Sequence, residues 1–166
     1  MPSSGRLTQV ALGVAAAGVL SAAVLVLVLA PAGHDRVEDA IPRDARVAAR
    51  GRADGVEVLV LTSGARMRLA AGYEDIKGWR LTSTPYVART EAVVWARLSR
   101  RGTNVSAVYG RIDGPPPTVV WADGRRQQAV AGSESGVYLA VRAGTHGCRQ
   151  VEGVGQPPTT YDCGDE

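Results

Sequence analysis

Val10 to Ala30 (VALGVAAAGVLSAAVLVLVLA) is a run of twenty-one residues without a charge. As a helix rising about 1.5 Å per residue it extends roughly 30 Å, the thickness of a bilayer's hydrocarbon core. No face of it is polar, so it does not read as a helix of a soluble core. The run is a membrane span or an export signal. Its length is that of an anchor, since the apolar part of a signal peptide runs to about 7–15 residues. Ala30-Pro31-Ala32 offers a small-x-small pattern for cleavage before Gly33, and secretion after cleavage near Ala32 is the alternative. Gly13, Ala17, Gly18 and Ala22 place small residues along one helical surface, but without a GxxxG motif.

Two signals disagree about orientation. Only Arg6 precedes the run, whereas Arg36, Arg43 and Arg46 follow it. Counted literally, the positive-inside rule sends the C-terminal part to the cytoplasm. The signal-like layout and a pair of cysteines point outward, and the expectation adopted is a single-pass plasma-membrane protein with an extracytoplasmic C-terminal part. An inverted topology with two free thiols is the competing one. The expected organisation is a short tail (1–7), a transmembrane helix or uncleaved signal anchor (8–30), a polar tether (31–45) and a β-domain (46–166). A tail of that size is too short to dock a partner, so the span is expected to tether and not to relay a signal.

Arginine outnumbers lysine eighteen to one, phenylalanine is absent, and Asn104 is the only asparagine. With so much Ala, Gly and Val, this reads as the codon bias of a GC-rich genome, and the arginines alone do not mark a phosphate binder. Charge is uneven. Ala32 to Asp54 is balanced, Arg89 to Arg126 carries seven arginines against Glu91, Asp113 and Asp123, and Cys148 to Glu166 is acidic. The middle stretch could meet an anionic surface, or the acidic end could fold back on it.

Beyond the tether the pattern is mainly β. Val56 to Thr62 (VEVLVLT) is β-branched and nearly continuous in apolar residues, and Met67 and Leu69 alternate with Arg66 and Arg68. Further strands are expected near 46–52, 78–82, 90–99, 105–112, 118–121, 125–131 and 137–141. Gly114-Pro115-Pro116-Pro117 interrupts the sheet, because proline lacks the ladder donor. Asp123-Gly124 supplies a hairpin turn. Short strands with frequent turn signals point to a small β-sandwich, with a small β-barrel as the alternative. The expected core is Val58, Val60, Met67, Leu69, Val94, Val108, Val119, Trp121, Tyr138 and Ala140. Trp95 and Trp121 are core plugs or exposed binding platforms, and the core reading is preferred in a chain with so few aromatics.

Tyr109-Gly110-Arg111, Thr118-Val119-Val120-Trp121-Ala122-Asp123-Gly124-Arg125 and Gly136-Val137-Tyr138-Leu139-Ala140 resemble a pattern in uncharacterised actinobacterial single-pass membrane-anchored proteins. The resemblance implies an extracytoplasmic, hairpin-built β-domain. It implies no activity and no catalytic residues.

Cys148 and Cys163 are the only cysteines. An even count in an exported domain points to a disulfide. A metal site from His146, Cys148, Cys163 and Asp162 is the alternative, although the spacing lacks the paired C-x2-4-C ligands of zinc sites. No metal and no cofactor are expected. Gly132-Ser133-Glu134-Ser135-Gly136 has the superficial look of a nucleophile elbow but fails G-x-S-x-G and precedes a strand. Glu74 and Asp75 are adjacent, and adjacent side chains in extended backbone diverge. There is no phosphate-binding glycine loop. Asn104-Val105-Ser106 matches a glycosylation sequon of the kind that arises by chance. No catalytic residue is therefore assigned.

Arg97, Arg100, Arg101, Arg125 and Arg126 form the candidate surface for an anionic ligand, with Trp95 as a stacking partner. A membrane address makes an envelope protein, an anionic envelope polymer or a lipid headgroup the sensible target, and nucleic acid is not expected. The expectation is a membrane-tethered, non-catalytic binding, accessory or scaffold module of the cell envelope. An envelope hydrolase or transferase with an unrecognised site is the alternative, and a deep pocket gathering Glu74, Asp75 or His146 would favour it.

Overall fold

A computed structural model describes residues 36–163, except Lys77 and Arg101 and the side chain of Arg100. The tail, the span and the cleavage pattern lie outside the described residues. Among those described, no helix is long and apolar enough to cross a membrane.

Thirteen strands occur among the described residues: β1 (Arg46–Ala53), β2 (Val56–Ser63), β3 (Arg66–Asp75), β4 (Gly78–Ser83), β5 (Val87–Ala88), β6 (Val94–Arg100), β7 (Thr103–Arg111), β8 (Thr118–Trp121), β9 (Arg126–Gln128), β10 (Val130–Ala131), β11 (Val137–Ala143), β12 (Cys148–Val154) and β13 (Thr159–Asp162). They form three antiparallel sheets. The first runs β1-β2-β3-β4 with β5 also on β3, the second β10-β11-β7-β6, and the third β13-β12-β8-β9. The domain is mainly β and sandwich-like, with three layers in place of the two read from the sequence.

The extra layer follows from which strand faces are covered. Val105, Ala107 and Tyr109 of β7, with Val137 and Leu139 of β11, pack on Val58, Val60, Met67 and Leu69 of the first sheet. The opposite face of the same strands, Val108, Tyr138 and Ala140, packs on Val119, Trp121, Cys148 and Val151 of the third. Successive side chains of a strand point to opposite faces, so a strand covered on both sides needs apolar residues throughout. That is why β2, β7 and β11 read as nearly continuous apolar runs. The outer face of the first sheet, Leu59, Leu61 and Ala70, is covered in turn by Val37 and half-buried Ile41, Trp79 and Leu81.

Val37 belongs to a 3-10 turn, Val37–Ala40, within the stretch read as a tether. It is 4% exposed and sits where Gly72 has no side chain; a Cβ there would lie 2.5 Å from Val37 Cγ2. Arg50, bonded to Glu38 at 2.9 Å and to Glu57 at 2.6 Å, holds the turn against the sheet. Of the ten expected core residues, Val94 is half-buried against the core and the other nine are buried.

The first two sheets are stitched together where β1 carries a bulge. The register shifts between Val47 and Ala49, which leaves Ala48 unpaired and turns its carbonyl outward. That oxygen accepts from the Glu134 amide at 3.3 Å and from Ser133 Oγ at 3.3 Å. A second close crossing lies within the second sheet, on β7. The lead-in to β6 crosses directly over Gly110, and Tyr138 Oη donates to the Ala92 carbonyl at 2.7 Å. A Cβ at Gly110 would lie 2.1 Å from that same oxygen.

Gly110→Ala therefore forces backbone apart and should cost about 1–3 kcal/mol or more in a urea titration. A neutral result would refute the close approach. Burial pushes the Tyr138 and Tyr109 hydroxyls above their usual range. Both stay protonated in the fold where the unfolded chain ionises, so their contribution is full below pH about 10 and is lost as pH rises beyond it. The expected slope is up to about 1.4 kcal/mol per pH unit for each tyrosine. Tyr138→Phe should roughly halve that alkaline slope while costing about 1–3 kcal/mol at neutral pH.

Candidate functional site

Three aligned positions on the second sheet build the most functional-looking surface. Arg97 of β6 and Arg142 of β11 both stand in register with Ser106 of β7. Trp95, Tyr138 and Ala140 belong to the cluster facing the third sheet, so Arg97 and Arg142, two residues on, face the same way. The two arginines are two strand spacings apart, about 10 Å. Arg97 is exposed, and its guanidinium carbon lies 4.7 Å from the centre of the Trp95 ring. This is cation–π geometry, and no acidic partner of Arg97 is found among the described residues.

Arg142 is differently placed. Its guanidinium grips Asp123 with two bonds of 2.9 and 2.7 Å and lies 6.0 Å from the Trp121 ring centre. Asp123 sits in the β8–β9 turn, where its Oδ1 also accepts the Arg125 amide at 3.1 Å. Arg142 holds the Asp123 carboxyl well below the usual carboxylate range, and Asp123 raises Arg142 in return. Beneath them Trp121 Nε1 donates to Gln127 Oε1 at 3.0 Å, and Gln127 Nε2 donates to the Val141 carbonyl at 3.2 Å. The His146 ring meets Trp121 edge-on at 6.5 Å, and the His146 amide donates to Ser106 Oγ at 2.8 Å.

The five arginines read from the sequence divide among these surroundings. Arg97 and Trp95 come together as expected. Arg125 is 78% exposed and reaches Asp123 only at 3.8 Å. Arg126 stands opposite Val120, on the face of the third sheet away from Val119 and Trp121, so it does not share a surface with Arg97. There it pairs with Glu152, one bond at 3.1 Å, and lowers the Glu152 carboxyl, with a smaller effect from Gln150. This is one place where the acidic C-terminal stretch does fold back on the basic middle. Arg101 and the Arg100 side chain lie outside the described residues. Arg142 and Asp123 escaped sequence reading because one sits in an apolar strand and the other in a turn.

Cys148 and Cys163 are joined in a disulfide, their Cα atoms 5.6 Å apart. The bond ties β13 to β12 where four exposed residues, Thr159 to Asp162, make up the edge strand. Among the described residues, no three His, Cys, Asp or Glu side chains converge as a metal would require.

The serine-rich loop serves as a clamp between sheets. Ser133 Oγ donates to the Val47 and Ala48 carbonyls, and Glu134 accepts from Thr62 Oγ1 at 3.1 Å, from Arg111 Nη1 at 3.3 Å and from Arg89. Glu74 and Asp75 diverge: Asp75 pairs with Arg80 at 2.9 Å, and Glu74 stands at the rim of a notch of about 170 Å3 floored by Val56, Ala71, Leu98 and Val105. That volume is below the roughly 300–1,000 Å3 of small-molecule sites, and the notch holds neither Asp75 nor His146.

Comparison with protein-family models, curated proteins and solved structures finds no match.

Asp123 and Glu152 titrate in the fold below their unfolded values of about 3.9 and 4.3. The stability they contribute is present above those values and is lost as pH falls through the lower folded ones. Asp123→Asn should flatten the acid limb of a Tm-against-pH curve below pH about 4, more at low salt than at high. A limb identical to the parent's would show that the Arg142 pair contributes nothing.

Proposed function

We propose that this chain is a membrane-tethered, extracytoplasmic β-domain that works by binding, as an accessory or scaffold module of the cell envelope. In this reading the Val10–Ala30 run is a single transmembrane helix and the sandwich follows it on the outer side. The observation that carries the binding role is Arg97: an exposed guanidinium held on the Trp95 ring, with no carboxylate partner among the described residues. An arginine fixed in position loses less freedom on meeting an anion than a mobile one. Arg125, loosely held across the domain surface, adds a second cation. The ligand class that fits is an anionic envelope polymer bearing phosphate or carboxylate groups, which a fork of N–H donors engages in pairs.

The disulfide supports the outward orientation, because such bonds persist in oxidising compartments. It closes a separation of 15 residues, for which chain entropy predicts about 3 kcal/mol of stabilisation.

Full-length chain extracted in detergent should be retained on an immobilised polyanion, with retention falling as salt rises. Arg97→Glu should weaken it severalfold, and Arg97→Lys should weaken it less. Retention of neither a polymer nor a protein partner would sink the binding reading. On intact cells an impermeant maleimide should label Cys148 and Cys163 only after reduction, and reduction of purified chain should cost about 3 kcal/mol in a denaturant titration. Thiols reactive only after cell lysis would instead place the domain in the cytoplasm.

A further inference from the structure

The three hairpins β1–β2, β3–β4 and β6–β7 end on the same side of the domain, since Val56, Tyr73, Glu74 and Thr103 all line the one apolar notch. The β3–β4 tip carries Ile76, a large aliphatic side chain as exposed as in an isolated peptide. A polar or glycine residue is what turn chemistry asks for at such a position. Nothing in the fold of the domain requires an isoleucine there.

The chain enters the described residues beside this hairpin. Val37 is seated against Gly72 and Trp79, and Trp79 stands opposite Glu74 at the base of the tip. Six residues, 31–36, lie between the apolar run and Val37. Fully extended, that length of chain reaches no more than about 25 Å. A domain docked at Val37 on so short a lead cannot stand far off the bilayer, and its nearest prominent apolar feature is Ile76.

Resting on the tethered reading above, we propose that the hairpin end bearing Ile76 is a membrane-docking surface: Ile76 inserts among the lipid headgroups and the mouth of the notch closes against them. The occupant is the lipid surface itself. Charge is not the term invoked here: Asp54, Glu57, Glu74 and Asp75 stand at this end with Arg52 and Arg80, and the sequence adds Lys77, Arg100 and Arg101 in the same turns. The driving terms are transfer of an apolar side chain out of water and the high effective concentration that a short tether imposes. Docking through Ile76 persists at high salt and on lipid without anionic headgroups, whereas adsorption through Lys77, Arg100 and Arg101 does not.

The test uses the full chain reconstituted in phosphatidylcholine vesicles, with an environment-sensitive fluorophore on Ile76→Cys or on Ala65→Cys. Ala65 is exposed in the β2–β3 turn, at the opposite end of the first sheet, and circular dichroism checks that both variants keep the β-fold. A label at 76 should be quenched severalfold more by spin-labelled lipid than a label at 65, at low and high salt alike. Chain that floats with the vesicles but shows equal quenching at the two positions overturns the docking inference and leaves the tether standing. Quenching at 76 that appears only with anionic lipid and vanishes in salt overturns it in favour of charge-driven adsorption. Chain that does not float overturns the tether and the docking together.

Discussion

Everything in this domain depends on a middle sheet whose central strands are covered on both faces. β7 and β11 contribute Val105, Ala107, Tyr109, Val137 and Leu139 to one core and Val108, Tyr138 and Ala140 to the other. Each apolar side chain taken out of water contributes about 25 cal/mol per Å2 of its surface, and a central strand collects that gain on both sides. A domain with one short 3-10 turn and little aromatic content reaches a stable core in this way. The cost is that polar groups buried in the middle layer depend on partners within the protein, and Trp95 Nε1 is buried there without a hydrogen bond among the described residues. Ser106, fully buried, is satisfied by donating to the Gly144 carbonyl at 2.9 Å while accepting the His146 amide.

The seams between layers are polar for the same reason. Stacked sheets slide unless something fixes their register, and apolar contact is non-directional. Here the fixing is done by directional bonds at the margins: the Glu134 clamp among Thr62, Arg89 and Arg111 between the first and second sheets, and the Arg142–Asp123 pair and the Gln127–Val141 bond between the second and third. Glycines at the close crossings let one backbone lie against another. Gly132, whose Cβ would fall 2.2 Å from the Ala48 carbonyl, is the counterpart of Gly110 on the first sheet's side. A loop that reads like a failed nucleophile elbow is thus committed to holding two sheets together.

Much of this was legible because alternation reports a half-covered strand faithfully. Met67 and Leu69 between Arg66 and Arg68 marked β3, and Asp123-Gly124 marked the β8–β9 turn. The third layer was not legible, for two reasons. Two-sided burial looks the same whether the second cover is a sheet or a turn, so VEVLVLT and VYLAV gave no layer count. The strand β12 hid because its inward residues, Cys148, Val151 and Val154, are three apart; register shifts between Cys148 and Gln150 and between Glu152 and Val154 break the period of two. Of the candidate surface, the Trp95–Arg97 pair was readable as neighbours on one strand face. The Arg142–Asp123 pair joins residues nineteen apart on different sheets, and no local pattern encodes it.

The two proposed surfaces constrain each other. Arg97 stands in register with Ser106, three residues along β7 from Thr103 at the notch rim. At about 3.3 Å per strand residue, it lies roughly 10 Å from the hairpin end. A domain that rests on lipid through that end holds Arg97 just above the headgroup layer, where water is abundant and a polymer running along the membrane is within reach. It also puts the Glu134 clamp and the β2–β3 turn on the side away from the bilayer, because Arg111 and Ser63 close the opposite ends of their strands. A docked domain would therefore present to the envelope a fixed orientation, with its cation near the lipid and its tightest polar seam outermost. That arrangement suits a module that holds a ligand close to the membrane better than one that reaches into the envelope for it.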